Sequence, residues 1–437
     1  MTLMIYNKEI IIEFMYQPNI FKKAFHQSRR LLARKWFTYV KPFTIGITGS
    51  MGKTTTANIL ASLYKEAVIT DINLDTYYNI PITVLKLKKS TKVVILEYGI
   101  DQVDEMDAHL EIAKPDVVII TGITAVHTDA EHLGSLENLI KEKRKLVECL
   151  ESKDIAILNY DDVNVREMAK HTKAKVIFYG SVKENCDIVY DEAATKITVD
   201  GTYFSIIDNE EGQLIELQTK LIGSQFVYNL MSAYAAYKYH QKLQGQTLDK
   251  IIHAFQEGVK AVEVLKGRMS FEKVADYYIL NDSLRSNPLS VVNGLVTFKL
   301  LKLAGQKRKV VILGEMGELG DSGLMEHEKV GRLIATLDAF DMFIGIGPLQ
   351  KIAISEAIAN GFASEKTYYA DNALVAGEFL KTYLHEADAI YLKGSLLRHM
   401  ERILMLLNNE EVKCSVVSCP FYNNCRVCKY RHSVYAP

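Results

Sequence analysis

Short apolar runs alternate with helical patterns along most of this 437-residue chain. The first run, Thr44-Ile-Gly-Ile-Thr48, leads into a glycine-containing segment and then a helical pattern. Similar apolar runs recur at 93–96, 117–120, 155–158 and 176–179. Strands that alternate with helices pack as a mostly parallel sheet with helices on both faces. The first half of the chain is therefore predicted to have an α/β fold.

The alternation changes and then restarts in the second half. Residues 196–206 have a pattern typical of an antiparallel edge hairpin, and a long helical pattern follows at 226–243. After Gly267-Arg268, strand patterns again alternate with helical ones, at 277–280, 309–313, 342–346 and 389–392. We therefore predict a second, smaller α/β domain of Rossmann-like type.

These patterns divide the chain into four parts. Residues 1–40 form an N-terminal extension with a surface helix, and residues 41–265 form a central domain with a mostly parallel sheet. Residues 266–410 form the C-terminal α/β domain, and residues 411–437 form a cysteine-rich tail.

Composition excludes several classes of protein. The chain is 48% hydrophobic and 24% charged, which is ordinary for a globular protein. Its net charge of −1 gives no excess of basic residues for binding nucleic acid or anionic membranes. The apolar stretch at 9–16 is interrupted by acids and lacks the flanks of a signal peptide. No run approaches the ~18 apolar residues of a membrane span. We expect a cytoplasmic protein without nucleic-acid or membrane partners; the sequence leaves its oligomeric state open.

The segment from Gly46 to Thr56, G-I-T-G-S-M-G-K-T-T-T, has the features of a phosphate-binding loop. The usual pattern, G-x-x-x-x-G-K-[ST], would require glycine at position 47, where this chain has isoleucine. Two glycines still allow a tight turn, a lysine supplies positive charge for the outer phosphates, and a threonine offers a hydroxyl to Mg²⁺. We interpret the segment as a shortened phosphate loop; the alternative is a glycine turn before an ordinary helix.

A lysine interrupts an apolar helical stripe at residues 136–150. Lys143 lies four residues after Leu139 and three before Leu146, both of which belong to the stripe. A lysine on a buried face has a depressed pKa and is partly a neutral amine. A neutral amine can take up CO₂ as a carbamate, which turns a cation into a carboxylate able to bind metal. On the stripe alone, the favoured alternative is a packed stem whose amine reaches water.

The loop pattern T-G-S-x-G-K-T-T resembles the ATP loop of the Mur ligase family. The resemblance extends from about residue 40 to 405 through further segments in the family's order. These are L-E-Y-G around Glu97, I-T-G-I-T-A-V-H ending at His127, L-N-Y-D-D at 158–162, G-R-M at 267–269, N-D-S-L-R-S-N-P at 281–288, G-E-M-G-E-L-G at 314–320 and K-G-S at 393–395. The last four look most like the branch that adds D-alanyl-D-alanine to UDP-muramoyl-tripeptide.

The resemblance implies an ATP-dependent, ADP-forming ligase that joins a carboxylate to an amine through an acyl phosphate. The implied setting is murein or pseudomurein peptide assembly, with a small-molecule or peptide carboxylate and an amino-acid or dipeptide amine as substrates. The implied nucleotide-binding residues are Gly49, Ser50, Gly52, Lys53, Thr54, Thr55, Asn229, Arg268 and Asp282. The implied catalytic residues are Lys53, Glu97, His127 and Lys143, and the implied Mg²⁺ ligands are Thr54, Glu97, His127 and Lys143. The family carries a carbamoylated lysine at the position of Lys143, which favours the carbamate there.

Three departures from the family pattern leave the substrates open. Gln225-Phe226 replaces His-Asn ahead of Asn229, and Leu284-Arg285-Ser286 replaces the Tyr-Asn-Ala of the D-alanyl-D-alanine branch. Only about forty residues precede the ATP loop, where relatives usually carry a UDP-sugar-binding domain. A Mur-like synthetase for a nickel tetrapyrrole cofactor or for polyglutamate therefore stays open, as does a nucleotide-binding scaffold subunit.

The tail contains four cysteines within fifteen residues, Cys414, Cys419, Cys425 and Cys428. Four thiolates that include a C-x-x-C pair suit a structural Zn²⁺ site, and an iron–sulfur cluster is the second option. Reduced thiols, or two disulfides in an oxidising setting, are the alternatives without metal.

Overall fold

The computed structural model describes residues 20–71, 76–124, 133–305, 307–317, 319–419 and 425–433. The elements of the first half are α1 (Ile20–Val40), β1 (Phe43–Thr48), α2 (Lys53–Leu63), β2 (Val68–Ile69), α3 (Thr76–Leu85), β3 (Val93–Glu97), α4 (Glu105–Leu110), β4 (Val117–Ile120), α5 (Leu136–Glu148), β5 (Ile155–Asn159), α6 (Val163–Glu167), β6 (Lys175–Gly180), β7 (Ile188–Thr198), β8 (Gly201–Asp208), β9 (Gln213–Thr219), α7 (Gln225–Leu243) and α8 (Leu248–Lys260). None of the described helices is long and apolar enough to cross a membrane.

The second half follows the same alternation. Its elements are β10 (Ser270–Val274), β11 (Tyr277–Asp282), α9 (Pro288–Leu300), β12 (Lys309–Gly314), α10 (Gly323–Leu337), β13 (Met342–Ile346), α11 (Gln350–Ala359), β14 (Thr367–Ala370), α12 (Ala373–Tyr383), β15 (Ala389–Lys393) and α13 (Glu401–Leu407). Short 3₁₀ turns occur at Met168–His171, Gly320–Ser322, Ser364–Lys366, Leu396–Arg398 and Cys425–Val427.

The strands form two sheets. The first has nine strands in the order β2-β3-β1-β4-β5-β6-β7-β8-β9, parallel from β2 to β7 and antiparallel from β7 to β9. The second has six strands in the order β10-β11-β15-β12-β13-β14, in which only the β10–β11 pair is antiparallel. The predicted α/β fold with mostly parallel sheets is confirmed.

Both faces of each sheet are covered by apolar side chains. In the first sheet, Ile45 and Ile47 of β1 pack into one core cluster, and Val94 and Leu96 of the adjacent β3 pack into the cluster on the other face. The second sheet is likewise enclosed between two clusters. Strands covered on both faces appear as nearly continuous apolar runs, which is why the sequence identified them.

The strands that the sequence did not reveal lie at or next to sheet edges. β9 ends the first sheet, and its side chains alternate between exposed and buried, so only three of its seven residues are buried. β10 and β14 are the two edges of the second sheet, and most of their side chains are only partly buried. An edge strand faces solvent on one side and therefore has a weaker apolar pattern than a central strand.

Candidate functional site

A four-residue turn joins β1 to α2 at the carboxyl end of the first sheet. β1 ends at Thr48 and α2 begins at Lys53, so the turn comprises residues 49–52. Ile47 lies inside β1 and is completely buried in the core. This placement explains why no glycine is needed at position 47: the residue belongs to the strand, and the loop is shorter than the usual phosphate loop.

Two glycines are required by the geometry of this turn. Gly49 has φ of 147°, and a Cβ added there would lie 2.0 Å from Oγ1 of Thr121. Gly52 has φ of 83°, and a Cβ added there would lie 2.3 Å from Nδ2 of Asn229. Both positions combine a backbone conformation that favours glycine with a close neighbour. The turn is thereby packed against the segment after β4 and against α7.

Two lysines converge on a single carbonyl oxygen in the turn. Lys53 Nζ donates to the carbonyl of Gly49 at 2.7 Å, and Lys143 Nζ donates to the same oxygen at 3.2 Å. Lys143 lies on the buried face of α5 with only 3% of its surface exposed. Its amine also lies 3.4 Å from Oγ1 of Thr48. The prediction that Lys143 faces the interior is confirmed, and the alternative of an amine that reaches water is wrong.

Burial and like charge act together on these two amines. Burial lowers the pKa of Lys143 well below its ordinary value, and the positive charge of Lys53 lowers it further, with Asp101 opposing. Burial also lowers the pKa of Lys53; Arg285 and Arg268 act in the same direction, and Glu97 and Asp101 oppose them. The pocket is therefore rich in cations, an environment that attracts an anionic ligand.

An oxygen pair lies beside the lysines. The Oγ1 hydroxyl of Thr54, in the first turn of α2, donates to Oε2 of Glu97 at 3.0 Å, where β3 ends. Glu97 is buried, and this burial raises its pKa, an effect that Lys53 and the Thr54 hydroxyl oppose. Thr70 and Asn79 hold the backbone of Glu97 through its N–H and its carbonyl. The carboxylate is thus fixed in position at the edge of the turn.

The remaining loop residues are anchored from neighbouring elements. Ser50 Oγ donates to the carbonyl of Thr124 at 2.9 Å and accepts from its N–H at 3.0 Å. Asn229 Nδ2 donates to Thr56 Oγ1 at 3.0 Å and lies 3.3 Å from the carbonyl of Gly52. Thr55 lines a small cleft beside the turn, together with Asn58, Leu221, Phe226, Val262, Glu263, Leu265 and Arg268. Four of these side chains are apolar, and Arg268 and Glu263 add one cation and one carboxylate.

Residues of the second sheet complete the surroundings of the turn. Asp282 ends β11, and Lys393 ends the adjacent parallel strand β15. Lys393 Nζ contacts Oδ2 of Asp282 at 2.6 Å and donates to the carbonyl of Arg285, also at 2.6 Å. Tyr391 OH lies 3.3 Å from the same Asp282 oxygen. This buried network fixes the 282–285 segment, whose Arg285 acts electrostatically on Lys53.

Replacing Lys393 with alanine should destabilise the protein by about 3–5 kcal/mol, because it leaves the Asp282 carboxylate buried without its cation. The measurement is the free energy of unfolding in a denaturant titration. A matched control is Lys381→Ala, which removes an exposed pair with Glu378 and should cost less than about 1 kcal/mol. Equal effects of the two substitutions would contradict this account.

Several predicted site residues converge, and the structure adds others. Gly49, Ser50, Gly52, Lys53, Thr54, Thr55, Glu97, Lys143, Asn229, Arg268 and Asp282 all lie at or around the turn or are linked to it by the contacts and charges above. His127, and its neighbour His132, lie outside the described residues. The residues that the sequence did not assign are Asp101, Arg285 and Lys393. The sequence contained features that could have marked them as site candidates. Asp101 closely follows β3, Arg285 departs from the family pattern, and Lys393 is the first residue of K-G-S.

The four tail cysteines do not converge as a four-thiolate site. Among the described residues, only two groups of three or more potential ligand atoms lie within 4.8 Å of one another: His399, Glu401 and Cys425, and Asp104, Asp107 and Glu142. Only Cys425 of the four belongs to either group. The structure therefore gives no support to the predicted zinc or iron–sulfur site of Cys414, Cys419, Cys425 and Cys428, because no three of these sulfurs lie within 4.8 Å of one another.

Comparison with known proteins finds one family. Residues 47–237 match the Mur ligase middle domain. The UDP-N-acetylmuramoyl-tripeptide–D-alanyl-D-alanine ligase of Haemophilus influenzae is 24% identical over 391 residues, covering 87% of this chain and 80% of the relative. The enzyme of that name from Bacillus subtilis is 26% identical over 378 residues, covering 85% of this chain and 77% of the relative.

Solved structures of the family share the fold. MurF from Acinetobacter baumannii superposes with a TM-score of 0.75 at 23% identity, covering 88% of this chain and 81% of that one. MurF from Thermotoga maritima, in complex with ADP, has a TM-score of 0.72 at 20% identity and coverages of 88% and 84%. A pseudomurein peptide ligase type C from Methanothermus fervidus has a TM-score of 0.58 at 19% identity, with coverages of 84% and 79%. The central segment of this chain matches the Mur ligase middle domain, and most of its length and its fold are similar to the Mur ligases.

Proposed function

We propose that this protein is an ATP-dependent, ADP-forming ligase that joins a peptide carboxylate to an amine in cell-wall peptide assembly. The observation that carries the proposal is the convergence of Lys53 and Lys143 on the Gly49 carbonyl, beside the Thr54–Glu97 pair, at the start of α2. Lysine ammonium groups at a helix N-terminus bind phosphate, and a hydroxyl with a carboxylate suits Mg²⁺. Nothing in a simple glycine turn requires these four side chains to meet.

The nucleotide would lie across the turn. The first backbone N–H groups of α2, which have no intrahelical partners, face the phosphates, and Lys53 exchanges its bond to the Gly49 carbonyl for one to a phosphate oxygen. The cleft lined by Phe226, Arg268 and Glu263 offers both apolar surface and polar groups to the base or ribose. The ADP complex of the Thermotoga relative supports a nucleotide in this fold.

Thr54 and Glu97 fit Mg²⁺. Their oxygens lie 3.0 Å apart, and burial raises the pKa of the Glu97 carboxyl although Lys53, Arg268 and Arg285 oppose that effect. Both are hard oxygen donors of the kind that Mg²⁺ takes alongside nucleotide phosphates. When bound, the ion would neutralise charge on the β- and γ-phosphates.

The reaction proceeds in two steps that the cationic pocket favours. A substrate carboxylate oxygen attacks the γ-phosphorus of ATP, the bond to the β,γ-bridging oxygen breaks, and ADP leaves with that electron pair. The amine nitrogen then attacks the acyl carbon, inorganic phosphate leaves, and the nitrogen loses a proton to solvent. Lys53, Arg268 and Arg285 supply positive charge to the transferring phosphoryl group, and transfer of this kind depends mainly on such positioning and neutralisation.

Lys143 is proposed to carry a carbamate. Its neutral amine attacks the carbon of CO₂, an N–C bond forms, one C=O π pair moves to oxygen, and a proton leaves to solvent. The product places an anion next to Lys53, whose positive charge now lowers the pKa of Lys143. His127 is the proposed partner of this carbamate in holding a second Mg²⁺, by the family resemblance alone.

The relatives' names suggest the substrates to test. They act on UDP-N-acetylmuramoyl-tripeptide and D-alanyl-D-alanine, and we propose the same chemical classes here, a peptide carboxylate and a dipeptide amine. Phosphate and ADP release should be measured with UDP-linked peptides, free peptides and pseudomurein-type peptides, each with D-alanyl-D-alanine or single amino acids. The proposal is supported if phosphate and ADP are released only when one carboxylate and one amine are both present. Tight ATP binding without turnover on any pair would favour a nucleotide-binding scaffold instead.

Replacing Glu97 with glutamine should stabilise the ligand-free protein at pH 7 and weaken Mg²⁺-dependent ATP binding. The folded pKa of Glu97 is raised above 4.5, so the folded state binds more protons than the unfolded state in the window above pH 4.5. Stability therefore falls as pH rises through that window, and glutamine removes this cost. Denaturant unfolding at pH 4 and pH 7, and ATP titrations with and without Mg²⁺, measure both effects. A variant less stable than wild type at pH 7 would contradict the expected sign.

A further inference from the structure

The C-terminal tail folds back over α13 and is held there by a buried arginine. Arg402 is 1% exposed, and its Nη1 donates to the carbonyls of Val416 at 2.8 Å and Cys414 at 3.3 Å. Its Nε donates to Sγ of Cys425 at 3.3 Å. The only apolar core assigned to the described tail is small, consisting of Val412 and Cys425 with Met405 and Leu406. A segment with so little core needs another source of stability.

Three different ligand types meet where the tail touches the start of α13. Nδ1 of His399 lies 2.9 Å from Oε1 of Glu401 and 3.4 Å from Sγ of Cys425. All three atoms lie within 4.8 Å of one another, and His399 and Cys425 are buried. Imidazole nitrogen, carboxylate oxygen and thiolate sulfur together are a ligand set that Zn²⁺ accepts, whereas Mg²⁺ and Ca²⁺ require oxygen alone.

The charges and the chain path also suit a cation. A Zn²⁺ ion with the thiolates of Cys425 and Cys428 and one carboxylate carries a net charge of −1. The positive charge of Arg402 opposes it, and the Arg402 N–H that points at Cys425 Sγ stabilises a thiolate as outer-shell donors do. Cys428 follows Cys425 by three residues, and its N–H donates to the Cys425 carbonyl at 3.2 Å across the 3₁₀ turn Cys425–Val427. A C-x-x-C spacing can supply two sulfurs to one ion. Cys428 Sγ does not lie within 4.8 Å of all three other ligand atoms, so a change of its side-chain rotamer must bring it to the ion.

We propose that His399, Glu401 and Cys425 bind a structural Zn²⁺, with Cys428 as the fourth ligand, and that this ion fastens the tail to α13. The site lies outside the proposed ligase centre and does not depend on it. It replaces the four-cysteine arrangement. His399 lies just before α13 and Glu401 is the first residue of α13, whereas the other two ligands come from the tail. Cys414 and Cys419 are not ligands.

The decisive measurement is the metal content of the full chain, purified without a histidine tag under reducing, oxygen-free conditions. We expect about one zinc per chain and no iron. His399→Ala and Cys425→Ser should each lower zinc at least tenfold. His385→Ala removes an exposed histidine, and Cys186→Ser removes a buried cysteine in the loop between β6 and β7; both controls should retain the metal. Cys414→Ser and Cys419→Ser should retain it as well.

Cobalt substitution of the wild-type protein provides a second test that does not depend on how the variants fold. The Co²⁺ spectrum should show tetrahedral d–d bands and a thiolate charge-transfer band that weakens by about half in Cys428→Ser. Four results would each overturn the proposal. The wild-type protein could lack zinc or contain iron instead. Zinc could be lost from Cys414→Ser or Cys419→Ser but kept in His399→Ala, or the charge-transfer band could be unchanged in Cys428→Ser. ATP titration reports on the ligase site separately and should be unchanged in Cys425→Ser.

Discussion

Lys53→Ala is expected to lower ADP formation by about 10³-fold or more while leaving the fold intact. In the proposed mechanism the Lys53 ammonium stabilises the negative charge on the outer phosphates in the transition state. Removal of a comparable cation from phosphoryl-transfer enzymes lowers kcat by about 10³–10⁵-fold. The side chain is half-buried, and within the described part of the chain its one hydrogen bond is to the Gly49 carbonyl. Its loss also removes a positive charge that lowers the pKa of Lys143. We therefore expect no loss of stability.

The measurement is initial-rate ADP release with the substrate pair found by screening, alongside a denaturant titration. Lys65→Ala is a matched control, since Lys65 is an exposed lysine just beyond the same helix and should leave the rate unchanged. Wild-type turnover in purified Lys53→Ala would show that the turn at 49–52 does not serve as the phosphate loop.

Lys143→Ala is expected to lower turnover by about 10²-fold or more, and Lys143→Arg by a similar factor. Arginine keeps the positive charge, but it cannot form a carbamate because its guanidinium stays protonated. A short carboxylic acid such as propionate should partly restore the alanine variant, because it can occupy the space of the missing carbamate. Because the pKa of Lys143 is well below its ordinary value, its neutral amine is available at lower pH than an exposed lysine would allow.

The carbamate itself can be observed directly. Protein equilibrated with ¹³C-labelled CO₂ should show a carbamate carbon signal that is absent from Lys143→Ala, and wild-type turnover should fall in CO₂-depleted buffer and recover with bicarbonate. Lys141→Ala is the control on the exposed face of the same helix and should keep both the signal and the activity. Full activity in Lys143→Arg would be incompatible with the carbamate.

Periodicity and spacing were sufficient for the architecture and for the centre of the site. Buried parallel strands are continuous apolar runs, so β1, β3, β4 and β5 were visible directly. The proposed phosphate loop has a sequence pattern confined to Gly49–Thr54, and such a local pattern can be recognised without knowing what packs on it. Lys143 was found in the same way, because one face of a helix is encoded by the spacing of its apolar residues.

Contacts between segments that are distant in the sequence could not be predicted and became apparent only in the tertiary structure. The convergence of Lys53 and Lys143 on the Gly49 carbonyl joins α2 and α5, and the Asp282–Lys393 pair depends on β11 lying next to β15 rather than next to a sequence neighbour. No periodicity encodes such pairings, since they follow from strand order. The tail shows the same limit: cysteine spacing suggested four thiolates on one ion, whereas the fold brings Cys425 to His399 and Glu401. Sequence spacing determines which ligands are near one another along the chain, and tertiary packing decides which of them share a point in space.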